Sequence, residues 1–417
     1  MFPKIRFALS SVLSIAILAA CEVPPSPAVT PTVQIKPINA TPLSESPVIG
    51  IARHPPADDY SFLNPDPALP TKYDPNLQNT FQNDYRSSNL SRLDLSQSLD
   101  NLLFSDFDSQ TIWPASKQLP AGFDPQKIME LGKDPGLGVR KLHDLGITGA
   151  GVGIAIIDQT LLVDHQEYAN RVKWYEETNG TAFPAQMHAP AVAAIAVGKT
   201  VGVAPLADLY FLADNDMADY SHLAASIRRV VAINKGLPEG HKIRVLSMSI
   251  GWMSNSPGVQ QLTAAVNAAK AAGIFVISVS LQSTYGWKIF GMGRSALADP
   301  NDFSSYTPSP WWSNDFYRSP NFSSLQFLLV PMDARATASP TGVTDYAFYG
   351  VAGMSWTIPY LAGVYALACQ VKPQITPNEF WSAALKTGRT THIEHNGKQY
   401  SFGVILDPQA VIAALQK

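Results

Sequence analysis

From about Pro135 onward the sequence alternates between two kinds of segment, and this restricts the fold more than any other feature. VGIAIID (152–158), ADLYFLA (207–213), IRVLSMSIG (243–251), IFVISVS (274–280) and FLLVPM (327–332) are short and almost wholly apolar. A strand with one wet face alternates apolar and polar residues, whereas a run that is apolar throughout reads as a parallel strand covered on both sides. Between these runs lie helical patterns. LGVRKLHDLG puts Val139, Leu142 and Leu145 on one face and stops at Gly146. AVAAIAVG (191–198) is a small-residue helix, and HLAASIRRVVAINKG and VQQLTAAVNAAKAAG end at Gly236 and Gly273. Strand and helix in alternation predict an α/β domain over residues 136–417, with a doubly wound, mostly parallel sheet flanked by helices. Ligands of such sheets bind beyond the carboxyl ends of the strands.

The amino-terminal third is built differently. MFPKIRFALSSVLSIAILAAC carries Lys4 and Arg6, then an apolar run, then small residues before Cys21. That order predicts a secretory signal over residues 1–20, too short to span a bilayer as a helix. Its ending, LAAC, resembles the bacterial lipoprotein lipobox. The resemblance implies lipidation of Cys21 and an extracytoplasmic protein held on a bacterial membrane by its acyl chains. Thirteen prolines follow between Cys21 and Pro75, so residues 21–75 read as a disordered tether that buries too little apolar surface to fold alone. Residues 76–135 form an extension of unassigned role. NLSRLDLSQSLDNLLFSDFD sets Leu90 and Leu95 five apart, which suits either a five-residue solenoid turn or, as the preferred expectation, a short amphipathic helix. The only cysteine besides Cys21 is Cys369, in an apolar run, so it reads as a buried inert thiol and leaves no internal disulfide once Cys21 is lipidated. A formal charge of −3 gives no electrostatic case for nucleic acid.

Three polar residues sit where the predicted elements end. Asp158 closes IAIID, where an acid fits the carboxyl edge of a sheet. His188 stands at the entrance of the alanine- and valine-rich helix, with no metal-ligand spacing around it. Ser355 precedes an apolar helix whose first turn holds Pro359, and a helix entrance favours an anion forming beside it. A hydroxyl nucleophile needs a base, and the base needs an orienting acid.

With these residues in order, the chain resembles the subtilisin-like serine peptidases (peptidase S8). GITGAGVGIAIIDQT resembles their aspartate segment GxGVxVAVIDTG, and HAPAVAAIAVGKTVGVAP resembles HGTHVAGxIAG with its following GVAP. VLSMSIG resembles the strand VxNMSLG, and GMSWTIPYLAGVYAL resembles GTSMATPHVAGxxAL. The resemblance implies an endopeptidase acting through Asp158, His188 and Ser355 on peptide or protein substrates, without a cofactor. It further implies that Ser249 and Gly251 line the strand that pairs with substrate, that Leu281 lies at the primary specificity pocket, and that Gln282 takes the place of the asparagine that donates to the oxyanion. Calcium is frequent in the family, but no loop shows clear ligand spacing, and no metal site is assigned.

The departures are specific. DTG becomes Asp158-Gln159-Thr160, the threonine and methionine flanking the nucleophile become Met354 and Trp356, and AAAGN becomes Val279-Ser280-Leu281-Gln282. They predict a reshaped cleft with a smaller or filled pocket. They also leave open a second class of function, a noncatalytic pseudo-peptidase that binds peptides or proteins at the cell surface. Residues 284–326, with Trp287, Trp311 and Trp312, read as a long irregular insert suited to a lid, a partner site or a structural role.

Overall fold

The apolar runs do become strands buried on both faces. A computed structural model describes residues 34–38, 50–77, 81–180, 182–216, 219–319 and 327–417. The signal segment and Cys21 lie outside these residues. The strands are β1 (Gly50–Ile51), β2 (Phe107–Asp108), β3 (Gly153–Asp158), β4 (Val172–Asn179), β5 (Asp208–Asp214), β6 (Ile243–Met248), β7 (Phe275–Ser278), β8 (Ile289–Arg294), β9 (Tyr306–Pro308), β10 (Leu328–Pro331), β11 (Arg335–Ala338), β12 (Tyr346–Tyr349), β13 (Arg389–His395) and β14 (Lys398–Ile405). The helices are α1 (Leu99–Leu102), α2 (Pro125–Lys133), α3 (Val139–Asp144), α4 (His188–Val197), α5 (Tyr220–Gly236), α6 (Val259–Ala271), α7 (Leu281–Tyr285), α8 (Pro310–Arg318), α9 (Thr357–Val371), α10 (Pro377–Thr387) and α11 (Pro408–Leu415).

The central sheet has the order β1-β4-β5-β3-β6-β7, and every neighbouring pair is parallel. Successive side chains of a strand point to opposite faces, and the packing follows that rule. Ile154, Ile156, Leu209, Phe211, Val245, Phe275 and Ile277 join the core that also holds α4 and α9. Ala155, Ile157, Tyr210, Leu212, Leu246 and Val276 join the core formed with α5 and α6. The fold is therefore the doubly wound α/β architecture expected from the sequence. β4 and β5 lie on one side of β3, and β6 and β7 on the other, so strand order reverses at the carboxyl end of β3, where Asp158 stands. Gly363 lets α9 approach closely, since a Cβ there would lie 2.5 Å from Val203 Cβ. Cys369 is buried and free, and burial pushes its thiol up to about 12.

Four expectations need revision. The strand at 327–332 does not continue the central sheet. As β10 it lies between β8 and β14 in a second sheet, ordered β13-β14-β10-β8-β9, because β8 from the insert supplies a parallel partner through Leu328–Ile289 and Leu329–Phe290. The insert itself is not irregular over its described residues. It forms β8, β9 and α8, with the Trp287 ring stacked on Tyr285 at 4.6 Å and on Trp381 at 4.8 Å.

The disordered-tether expectation for 21–75 fails for its described parts. β1 adds to the edge of β4, Ala52 N–H donates to the Tyr175 carbonyl at 2.9 Å, and Ile38 N–H donates to the Leu145 carbonyl at 3.0 Å. A segment too polar to fold alone can still complete the open edge of a sheet that already exists. In the extension, the five-residue period is the correct reading. Tyr85, Leu90 and Leu95 are buried, and their N–H groups donate to the Asp106, Ile112 and Gln118 carbonyls, each at 2.8 Å. Their own carbonyls close turns on Ser88, Leu93 and Ser98. Within residues 89–108 helix is confined to α1, and β2 pairs antiparallel with β12.

Candidate active site

Asp158, the last residue of β3, is buried, and its Oδ1 accepts the Gln159 N–H at 2.8 Å. His188 is the first residue of α4. Its Nδ1 lies 2.8 and 2.9 Å from the two Asp158 carboxylate oxygens. A carboxylate only accepts, so Nδ1 carries the proton and Nε2 is left as the basic nitrogen. The side chain remains 22% exposed. Burial alone lowers the His188 pKa, but the charge and hydrogen bond of Asp158 outweigh it and hold the imidazole above its ordinary value. The loop before α4 is tied to the turn after β3. Gln186 N–H donates to the Thr160 carbonyl at 2.9 Å, and the Asn215 amide donates to the Thr160 hydroxyl at 2.9 Å.

Ser355 lies in the short 3-10 turn Met354–Trp356 that leads into α9. It is bracketed by Ser249. Ser249 Oγ donates to the Ser355 carbonyl at 2.8 Å, and Ser355 Oγ donates to the Ser249 carbonyl at 3.4 Å. Ser355 Oγ makes no hydrogen bond to His188 among the described residues. The Trp356 ring links the two, packing edge-to-face on His188 with centroids 5.4 Å apart and on Tyr349 at 5.1 Å. The expectation that Met354 and Trp356 crowd the cleft is met only indirectly. Trp356 is buried and supports His188 from within, and Met354 Sδ accepts the Gly291 N–H at 3.2 Å.

The structure thus brings Asp158, His188, Ser249 and Ser355 together. Gly251 is half-buried beyond β6, its carbonyl accepting the Tyr220 hydroxyl at 3.3 Å. Leu281 is fully buried at the start of α7, and Gln282 beside it is exposed, its amide making no hydrogen bond among the described residues. Sequence reasoning missed Ser280, whose hydroxyl accepts the Trp252 N–H at 2.8 Å, and Asp333, which accepts the Ala352 N–H at 2.9 Å. A signal for Asp333 existed, since it ends FLLVPMD as Asp158 ends IAIID. Nothing in the local pattern marked Ser280.

Fold and site define a class. It is a doubly wound α/β protein with a hydrogen-bonded Asp–His pair at the carboxyl edge of its central strand and a serine at a neighbouring helix entrance. Residues 149–285, about a third of the chain, match the model of the subtilase family (Peptidase S8). The matched span carries Asp158, His188, Ser249, Gly251, Leu281 and Gln282, and ends before Ser355. The chain is 27% identical over 264 residues to an extracellular serine proteinase of Thermus sp. (strain Rt41A), an overlap covering 62% of this chain and 60% of that protein. Among solved structures it is similar to sphericase, with TM-score 0.42, 19% identity and coverage of 58% of this chain and 84% of the other. It is also similar to the prenylagaramide maturation protease PagA, with TM-score 0.45, 17% identity and coverage of 67% and 98%.

Proposed function

We propose that this chain is an extracytoplasmic serine endopeptidase, held at a membrane through lipid on Cys21, that hydrolyses peptide bonds through an acyl-enzyme. The observation that carries this reading is the Asp158–His188 pair, with two contacts of 2.8 and 2.9 Å, beside a serine bracketed by Ser249. Ser355 Oγ leaves its long contact with the Ser249 carbonyl, passes its proton to His188 Nε2 and attacks the scissile carbonyl. Hydrogen bonds of this kind are often loose before substrate arrives and tighten in the complex. His188 then protonates the leaving amine, Asp158 stabilises the imidazolium, and water repeats the sequence on the ester. The match of residues 149–285 to the subtilase family model and the similarity to an extracellular serine proteinase support catalysis over a binding-only role. The test is labelling of the folded chain by a fluorophosphonate probe. A folded protein that takes up no label is the binding module instead.

Two predictions concern the cleft. The first is that Gln282 donates its amide to the oxyanion. Gln282→Ala is then expected to lower kcat about 10²-fold with little change in KM, and an unchanged kcat would assign the oxyanion to backbone N–H groups alone.

The second concerns specificity. The β6–β7 ladder runs on past Met248–Ser278 through the Val279 N–H bond to the Ile250 carbonyl at 3.1 Å. The Ser280 hydroxyl then clasps Trp252, accepting its N–H at 2.8 Å and donating to its carbonyl at 3.3 Å. Segments joined in this way, with Leu281 buried behind them, leave little room for a large side chain between them. Peptides with alanine before the scissile bond are expected to exceed those with phenylalanine in kcat/KM by at least about tenfold. Equal or faster cleavage after phenylalanine would rule out the closed pocket.

A further inference from the structure

The segment Gly350-Val351-Ala352-Gly353-Met354 carries the chain from β12 to Ser355, and two of its N–H groups go to buried carboxyls. Gly350 N–H donates to Asp106 Oδ1 at 2.9 Å, and Ala352 N–H donates to Asp333 Oδ1 at 2.9 Å. The two carboxyls come from opposite ends of the chain. Asp106 belongs to the extension and is 1% exposed, and Asp333 follows β10 and is 2% exposed.

Both carboxyls are built into their surroundings. A Cβ on Gly293 would lie 2.5 Å from Asp333 Oδ2, so glycine in β8 leaves room for this carboxyl. Its Oδ2, with the Ser309 hydroxyl as its polar neighbour, has no well-formed hydrogen bond among the described residues. A Cβ on Gly350 would lie 2.7 Å from the Phe104 carbonyl carbon and 2.8 Å from the Ser105 oxygen, so the extension meets the segment backbone to backbone. Beside Asp106 stand Asp84 and Arg86, and the Arg86 guanidinium reaches across to the Tyr349 hydroxyl at 3.1 Å. Burial pushes the Asp333 carboxyl up to about 7 and holds Asp106 well above the usual carboxylate range. A protonated carboxyl still accepts through its carbonyl oxygen, so neither grip needs the charge.

Taking the proposed peptidase reading as its basis, we propose that Asp106 and Asp333 are positioning residues. They hold the approach to Ser355 from two directions, which makes the extension part of the active-site scaffold and not a removable leader. The backbone they grip sets where the 3-10 turn begins, and the turn sets where Ser355 Oγ lies. An unmade bond to a buried N–H leaves that group unpaired, and the segment relaxes to recover a partner.

The test reads position separately from activity. Hydrogen exchange of the peptide spanning 346–356 is followed in wild type, Asp333→Ala, Asp106→Ala and Asp333→Asn of the full chain. Either alanine variant is expected to exchange about tenfold faster in this peptide, with peptides from β3 and α4 unchanged. Asp333→Asn, whose amide oxygen still accepts, is expected to exchange like wild type. In turnover, the alanine variants are expected to lose about tenfold or more in kcat at nearly constant KM, and Asp333→Asn is expected to recover it. If Asp333→Ala does not fold, Asp106→Ala and Asp333→Ser carry the same readouts. Folded alanine variants with wild-type exchange at 346–356 overturn the proposal, whether or not the protein proves to be a peptidase. A wild type that takes no fluorophosphonate label, with faster exchange in the alanine variants, overturns the peptidase reading and leaves the positioning intact.

Discussion

Ser355→Ala is expected to abolish fluorophosphonate labelling and to lower kcat on a cleavable peptide by about 10⁶-fold, the scale of loss when a serine triad is disabled. The expectation rests on where the residue sits. Ser355 lies in a turn heading α9, tied to the end of β6 by the two bonds with Ser249 at 2.8 and 3.4 Å. Substitution removes only Oγ and its 3.4 Å contact, while the shorter bond uses the Ser355 carbonyl and survives. The fold should therefore hold, and a thermal midpoint within a few degrees of wild type separates lost chemistry from lost structure. Retained labelling in this variant would remove Ser355 from the mechanism.

The second large effect concerns the base. Asp158→Asn keeps the shape of the side chain but replaces a pure acceptor with a group that can donate to Nδ1. The proton then favours Nε2, the nitrogen that must accept from Ser355, and a kcat loss of about 10⁴-fold is expected. The pH profile gives an independent reading. His188 works as a base only when neutral, so kcat/KM rises with pH along an acid limb set by its ionisation. Because Asp158 outweighs burial and raises the His188 pKa, the wild-type limb is expected above the ordinary histidine value of 6.5. Residual activity of the asparagine variant is expected to show a limb at lower pH, since burial then acts unopposed. A limb at the same pH in both proteins would mean that the two side chains are not coupled as the 2.8 Å contact implies.

Much of the site was legible before any coordinates. Asp158 at a strand end and His188 and Ser355 at helix entrances follow from periodicity and stop signals, which are local properties of the chain. What stayed hidden depends on partners far away in sequence. FLLVPM is visibly a strand, but its choice of β8 as neighbour is a pairing that periodicity does not encode. The described parts of the tether are ordered by the edge of β4 and the carbonyl of Leu145, and composition says nothing of either. Trp356 reads in the sequence as bulk beside Ser355, yet the direction of a side chain leaving a 3-10 turn decides whether bulk fills a cleft or backs a histidine. Here it backs His188.

The contacts that close the site join distant parts of the chain, and this bears on how the protein reaches its working form. Gly350 meets Asp106 across 244 residues, and Arg86 meets Tyr349 across 263. Each such contact closes a long loop before it returns any stabilisation, which slows folding and places these contacts late. During synthesis the extension emerges first and waits for the carboxyl-terminal residues to arrive. A partly made chain that carries Asp158 and His188 but not yet Gly350 therefore lacks the contact that the extension makes with the approach to Ser355. If the chain is the peptidase proposed above, hydrolytic competence would wait on these contacts between distant parts of the chain.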